Sequence, residues 1–176
     1  MSEQEQVAHN PMKRVHVDKV VVNIGVGKSG EPIEKAKKAL LELTGRQPAV
    51  RGAKKSVRDF GIHKGEPIGA IVTMRRDVAI EFLKRIIAAK RNVLKASSFD
   101  NFGNLSVGIH EHIDIPGTKY NPEIGIFGMD VNITLSRAGY RIARKSRKSG
   151  KIGKEHRINK DEAIEFFKRE FGAEVE

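Results

Sequence analysis

Residues 129–136 read Met-Asp-Val-Asn-Ile-Thr-Leu-Ser, and residues 105–115 read Leu-Ser-Val-Gly-Ile-His-Glu-His-Ile-Asp-Ile. In the first stretch Met129, Val131, Ile133 and Leu135 alternate with Asp130, Asn132, Thr134 and Ser136. In the second, Leu105, Val107, Ile109, Ile113 and Ile115 share one parity, and Ser106, His110, His112 and Asp114 the other. Successive strand side chains point to opposite sides of a sheet. Strict alternation therefore predicts a sheet with one covered face and one wet face. Such a sheet is antiparallel-rich and carries its helices on a single side, so the fold class is α+β.

The flanking segments supply those helices and the remaining strands. Residues 15–24 are rich in β-branched side chains and predict a strand, although the alternation slips phase at Asp18-Lys19. Pro32 suits a first helical position, Ile33, Ala36, Leu40 and Leu43 follow at helical spacing, and Gly45 closes the helix. Residues 68–75 alternate again, with Ile68, Ala70, Val72 and Met74 on one side. Asp77 is placed as the N-cap of a second helix that buries Val78, Phe82, Leu83, Ile86 and Ile87. Asn159 and Glu162 have capping-box spacing before a last helix carrying Ile164, Phe167 and Phe171. The stretch 45–65 shows no sustained period and reads as a loop or an open hairpin. The order β-α-(loop)-β-α-β-β-α predicts one domain over residues 1–176, a ferredoxin-like elaboration with its helices on one sheet face. Its appendages are a flexible N-terminus at 1–13, a projecting basic loop at 51–65 and a basic extension at 137–157, followed by a C-terminal helix at 159–172.

Charge points to the partner class. The chain has 176 residues, 33 Lys and Arg against 22 Asp and Glu, and a net charge of +11. The excess is concentrated. Residues 44–65 set six cations against Asp59, a net of +5, and residues 137–157 set nine against Glu155, a net of +8. The rest of the chain is close to neutral. A solubilising charge is scattered, whereas clustered cations are the footprint of phosphate-backbone binding. No apolar run approaches the roughly 18 residues of a membrane span, so a membrane partner is not expected. With no cysteine, disulfides, thiolate metal sites and a cysteine nucleophile are excluded. The N-terminus lacks a signal-peptide pattern, and the expected location is cytoplasmic.

Motifs with enzymatic overtones fail on their second requirement. Gly25-Val26-Gly27-Lys28-Ser29-Gly30 matches the dinucleotide fingerprint, but no acid follows at ribose-binding distance in residues 45–52. As a P-loop the same stretch would need its first glycine at Val22. His110 and His112 are expected side by side on one strand face near Asp114, yet without a third ligand at diagnostic spacing. No nucleophile elbow and no pocketed carboxylate pair is evident. No cofactor, metal site or catalytic residue is therefore assigned, and an enzyme is not expected. Eight Phe, two Tyr and no Trp do not furnish a stacking platform across the sheet. The wet face offers Ser, Thr, Asn, Asp and His instead, groups suited to the 2′-hydroxyls and phosphates of folded RNA.

Five blocks in sequence order resemble one known family. They are Asn23-Ile24-Gly25-Val26-Gly27, Thr44-Gly45-Arg46-Gln47-Pro48, Ala53-Lys54-Lys55-Ser56-Val57 leading to Phe60, Gly65-Glu66-Pro67-Ile68-Gly69 with Val72-Thr73-Met74-Arg75, and Ser98-Phe99-Asp100 running through Gly103-Asn104 to Gly108. Together they resemble the universal large-subunit ribosomal protein five family over about residues 14–137. The segment 137–157 and the closing helix are similar to its archaeal and eukaryotic branch. His63-Lys64 stands where bacterial members usually carry Arg-Gln, and Glu66 replaces an aromatic.

The resemblance implies a non-catalytic ribosomal protein that binds 5S rRNA and attaches it to the central protuberance. It also implies a bridge to a small-subunit head protein and contacts with other large-subunit proteins. It maps 5S rRNA contact onto Asn23, Gln47, Thr73 and Arg75. It maps contact with P-site tRNA onto the loop residues Arg51, Lys54, Lys55, Ser56, Arg58, His63 and Lys64. The extension, through Arg137, Arg141, Arg144, Lys145, Arg147, Lys148 and Lys151, is expected to contact large-subunit rRNA and to become ordered on that contact.

Overall fold

The computed structural model describes residues 10–176, and the expected flexible N-terminus lies outside the described residues up to residue 9. From residue 10 onward the chain is placed: the Asn10 side chain accepts the Met12 N–H at 3.0 Å and starts a short 3₁₀ turn over Pro11–Lys13.

The chain then forms β1 (His16–Gly25), α1 (Glu31–Thr44), β2 (Ala49–Gly52), β3 (Pro67–Met74), α2 (Arg76–Ala89), β4 (Val93–Leu94), β5 (Leu105–Ile109), β6 (Met129–Ser136), α3 (Lys160–Phe171) and β7 (Glu174–Val175). Five strands make one sheet in the order β2-β3-β1-β6-β5, and every pairing in it is antiparallel. Read with the helices, β2-β3-β1-β6 is the ferredoxin-like arrangement and β5 an added edge. A parallel pair, β4 with β7, ties the C-terminus to the segment after α2.

One sheet face carries the core. Val20, Val22 and Ile24 of β1 lie beside Ala70, Val72 and Met74 of β3 and Val131, Ile133 and Leu135 of β6, all buried. Ala36, Leu40 and Leu43 of α1 and Phe82, Leu83 and Ile86 of α2 join the same cluster. At the far end Phe167 of α3 meets Phe99 edge-on, with ring centroids 5.6 Å apart. Among the described residues no helix lies on the opposite face of the sheet, so the α+β reading with one covered face holds.

The phase slip in β1 is a β-bulge. Val17 pairs with Leu135 and Lys19 with Thr134, leaving Asp18 as the extra residue. A one-residue insertion exchanges the two faces of a strand. Here it lets Val15 and Val17 before it, and Val20 and Val22 after it, all pack on the core.

Two expectations need correction, and a third resolves between its alternatives. The stretch 105–115 is not one strand: the ladder ends where Ile109 meets Met129, and beyond it a single backbone bond, His112 N–H to Phe127 O at 3.0 Å, holds the two segments together. Past that point the chain turns into a 3₁₀ turn over His112–Asp114, with His112 only 3% exposed. The residue before α2 is Arg75, which makes no side-chain cap, and Asp77 sits within the first turn. Of the two readings of the stretch 45–65, loop or open hairpin, the hairpin is the one found: residues 49–52 form the edge strand β2, paired antiparallel with β3. All four of its residues are exposed, so no inside–outside alternation marked it in the sequence.

Candidate nucleic-acid interface

The uncovered sheet face is built by the residues that alternate with the core. Strand register sets Ala49, Ile71, Asn23 and Asp130 in one row across β2, β3, β1 and β6. Thr73, Val21, Asn132 and Ser106 form the next row, where the Ser106 hydroxyl donates to Asn132 Oδ1 at 2.7 Å. The exposed groups on this surface are mostly polar, Thr73, Ser106, Asp130 and Asn132, with Val21 and Ile71 half-buried between them.

At its β2–β3 edge the face deepens into a cleft of about 720 Å³ lined by Thr44, Gly45, Arg46, Gln47, Arg51 and Thr73 among others. Local chemistry explains the floor. Gly45 ends α1 in the left-handed conformation with φ 64°, its N–H donating to Leu41 O. The chain therefore reverses tightly and delivers Arg46 and Gln47 beside β3. The structure thus brings Gln47, Thr73 and Arg51 together, with Asn23 one strand over on the same face. Arg46, which the motif reading did not single out, joins them. Its signal was its position immediately after the closing glycine.

Arg75 follows β3 directly, two residues past Thr73, and its guanidinium is 3.5 Å from the bulge carboxylate Asp18. Asp18 also holds Arg144 of the extension at 2.7 Å. One carboxylate thereby links a residue expected at the sheet face to one expected in the tail. Sequence inspection had marked Asp18 only as a break in alternation.

The loop between β2 and β3 is a continued hairpin. Ala53 N–H donates to Glu66 O at 2.8 Å, Gly65 N–H to Ala53 O at 2.9 Å, and Val57 and Ile62 exchange both backbone bonds. A 3₁₀ turn over Arg58–Phe60 forms the tip, with Phe60 76% exposed. Arg51, Lys54, Lys55, Ser56, Arg58, His63 and Lys64 are all exposed. Among the described residues, none of the Arg and Lys side chains in that set is ion-paired. The base is fastened by Glu66, which accepts the Ser29 hydroxyl at 2.6 Å and the His63 N–H at 2.9 Å. The His63 amide, and then the Ser29 hydroxyl, hold its carboxyl below the usual carboxylate range. Ser56 accepts the Lys64 N–H at 2.9 Å, so its hydroxyl oxygen also shapes the loop.

The extension is arranged differently. Arg137 is 5% exposed, ion-paired to Glu162 at 2.9 Å and directed at the carbonyls of His156 and Arg157. Its guanidinium is turned into the fold, with Nε buried and without a partner, rather than outward as expected for an RNA contact. Tyr140 donates to His156 O at 3.2 Å and accepts the Ile158 N–H at 2.8 Å. His156 Nε2 lies 2.8 Å from Ala138 O. The segment, expected to order only against RNA, is therefore pinned internally at both ends. Arg141, Lys145, Arg147, Lys148 and Lys151 remain exposed, as does Arg144 beside Asp18.

Motifs with enzymatic overtones resolve structurally. In the glycine loop the N–H groups of Val26 and Gly27 both donate to Ile68 O, at 3.0 and 2.9 Å. Those amides fasten the loop to β3 and are not directed at a phosphate. His112 leaves the wet face altogether, where its Nδ1 accepts the Phe127 N–H at 3.3 Å and burial pushes its pKa down. Among the described residues no group of three metal-ligating side chains converges, and no described helix is long and apolar enough to cross a membrane.

Comparison with known proteins agrees with this geometry. Residues 10–63 match the family model described as ribosomal protein L5, and residues 67–166 match the model for the C-terminus of that ribosomal family. The chain is 54% identical to the large ribosomal subunit protein uL5 of Sulfolobus acidocaldarius, over 99% of this chain and 98% of that one. It is 52% identical to the protein of that name from Pyrobaculum aerophilum, over 97% and 95% of the two chains. It is 49% identical to that from Nitrosopumilus maritimus, over 97% and 98%.

Proposed function

This chain belongs to the ribosomal L5 family, in its archaeal form, and on that premise we propose how its surfaces divide the work of an RNA-binding protein of the large ribosomal subunit. It is a structural component of a ribonucleoprotein and not an enzyme. The open sheet face, with the cleft at Gln47 and Thr73 and the flanking Asn23 and Arg75, binds 5S rRNA and attaches it to the central protuberance. The hairpin loop reaches P-site tRNA through Arg51, Lys54, Lys55, Ser56, Arg58, His63 and Lys64. The exposed cations of the extension contact large-subunit rRNA, and a further surface bridges to a small-subunit head protein.

The observation that carries this reading is the asymmetry of the sheet: one face is fully occupied by helices, while the other is polar and leads into the 720 Å³ cleft. A face of that kind recognises folded RNA by hydrogen bonds to its sugar–phosphate surface. Filter-binding titration of 5S rRNA against an unrelated folded RNA, repeated across salt concentrations, tests it. Selective 5S binding at physiological salt is expected, and equal competition by the two RNAs refutes the specific assignment. Lys54→Glu combined with Lys55→Glu is expected to spare 5S affinity and weaken tRNA positioning on assembled ribosomes. Loss of 5S affinity as large as that of Asn23→Ala overturns the division between face and loop.

A further inference from the structure

A second cavity, of about 470 Å³, lies away from the sheet face, within the extension itself. Phe102, Tyr140, Ala143, Gly150, Lys151, Ile152, Arg157 and Ile158 line it. The Tyr140 ring and most of the aliphatic floor thus belong to the most cationic segment of the chain, where Glu155 is the only acid between residues 137 and 157, and Phe102 closes the recess from a neighbouring turn. A surface that needed only to follow a phosphate backbone would have no use for such a recess.

Its walls are fixed in advance. The Tyr140 hydroxyl is engaged by His156 O and the Ile158 N–H, and the ring stands edge-on to His156 at 5.9 Å. Phe102, 63% exposed, is carried on a turn whose N–H groups at Phe102 and Asn104 both donate to Asp100 Oδ1, at 2.9 and 2.7 Å. Gly103 holds that turn against the cavity floor. It has φ +76°, and a Cβ there would approach Ile158 Cγ2 to 2.6 Å. Lys151 and Arg157 are exposed at the rim and, among the described residues, ion-paired to nothing.

We propose that this cavity receives an unstacked nucleobase of ribosomal RNA, with Phe102 and Tyr140 contacting the base and Lys151 and Arg157 the flanking phosphates. The inference rests on the RNA-binding reading above and adds a base-receiving subsite to it. Charge decides the occupant. An apolar peptide side chain would fit the recess, but a rim that bears only cations selects a ligand that is anionic around an aromatic centre, which describes a nucleotide in single-stranded or bulged RNA. A pinned Tyr140 ring and a fixed backbone at Phe102 lose little freedom on binding, which favours capture.

The test uses the full chain and two single-stranded probes, an octamer of adenosines and the same ribose–phosphate chain with its central positions abasic. Base stacking of the usual strength gives the base-bearing probe an advantage of about 5- to 150-fold. Phe102→Ala is expected to abolish that advantage and leave the salt dependence intact, whereas Phe102→Tyr keeps both. Lys151→Ala should do the reverse, flattening the slope of log affinity against log salt by about 0.7 while the preference for bases persists. Phe102 is surface-exposed, so its variants fold, and circular dichroism verifies this. Equal affinity of the native chain for the two probes, as expected if a protein side chain fills the recess instead, overturns the proposal. So does indifference to Phe102→Ala. 5S selectivity, measured on the same preparations, reports separately on the sheet face, so either reading can fail without the other.

Discussion

The two basic segments, with net charges of +5 and +8, use their cations in opposite ways. The β2–β3 hairpin extends its cations into solvent, where no described carboxylate meets its Arg and Lys side chains, and a single anion, Glu66, fastens its base. In the extension, two of the arginines turn inward or sideways: Arg137 to Glu162 within the fold, and Arg144 to Asp18 on β1. Glu162 serves twice there. One oxygen takes the Arg137 guanidinium, and the other accepts the Asn159 N–H at 3.1 Å and closes the capping box of α3. The loop is a bare probe, whereas the extension is a folded wrap with free cations on its outside. Counting charges along a chain does not separate these cases. Their partners do.

The contrast predicts its largest difference in stability. Arg137→Met leaves Glu162 and two carbonyls without their donor, at a cost of about 2–3 kcal/mol, toward the lower end for a buried pair because Glu162 is partly exposed. Lys54→Met should change the unfolding free energy by less than about 0.5 kcal/mol. Urea titration of both variants measures the gap, and equal effects erase the distinction between a structural and a free cation.

Salt dependence sharpens the contrast from the other side. Lys54→Ala and Lys55→Ala should each reduce the slope of log affinity against log salt for a bound RNA by about 0.7–0.9. The melting temperature should stay constant. An unchanged slope for tRNA would remove the loop from the phosphate-contacting surface.

The smallest expected effect is local. The Glu66 carboxyl is held below its ordinary value of 4.5 in the fold, so the unfolded chain takes up its proton first as pH falls. Its contribution is complete above that ordinary value and is lost as pH drops through the lower folded one. The protection factor of the His63 amide against hydrogen exchange, taken against its intrinsic rate at each pH, should therefore fall in acid, and Glu66→Gln should produce part of that fall at neutral pH. Protection insensitive to both would show that Glu66 does not secure the loop.

Much of this was legible in the residues. The alternation of 129–136, the helix-closing Gly45 and the Asn159/Glu162 cap each depend on neighbours a few positions away, and each appears where it was expected. Even the bulge showed itself, as a slip at Asp18-Lys19. Other features were hidden. The edge strand β2 is wet on every side and so carries no periodic mark. The run from Ile109 to Ile115 keeps its alternation after the strand has ended, since nothing within it reports that the chain turns at His112–Asp114. Arg137 looked like one cation among nine because its partner lies 25 residues away.

Sequence alone determined the α+β class, the covered and uncovered faces, the concentration of charge in two segments and the family. Those properties are written in local periodicity, in composition and in ordered motifs. Only the tertiary structure decided which cations are free, that His112 is interior, that Gln47, Thr73 and Arg51 share one cleft, and that the extension encloses an aromatic recess. Each of these depends on which distant segments come to lie side by side. Burial and pairing belong to that packing, and no window of sequence contains them.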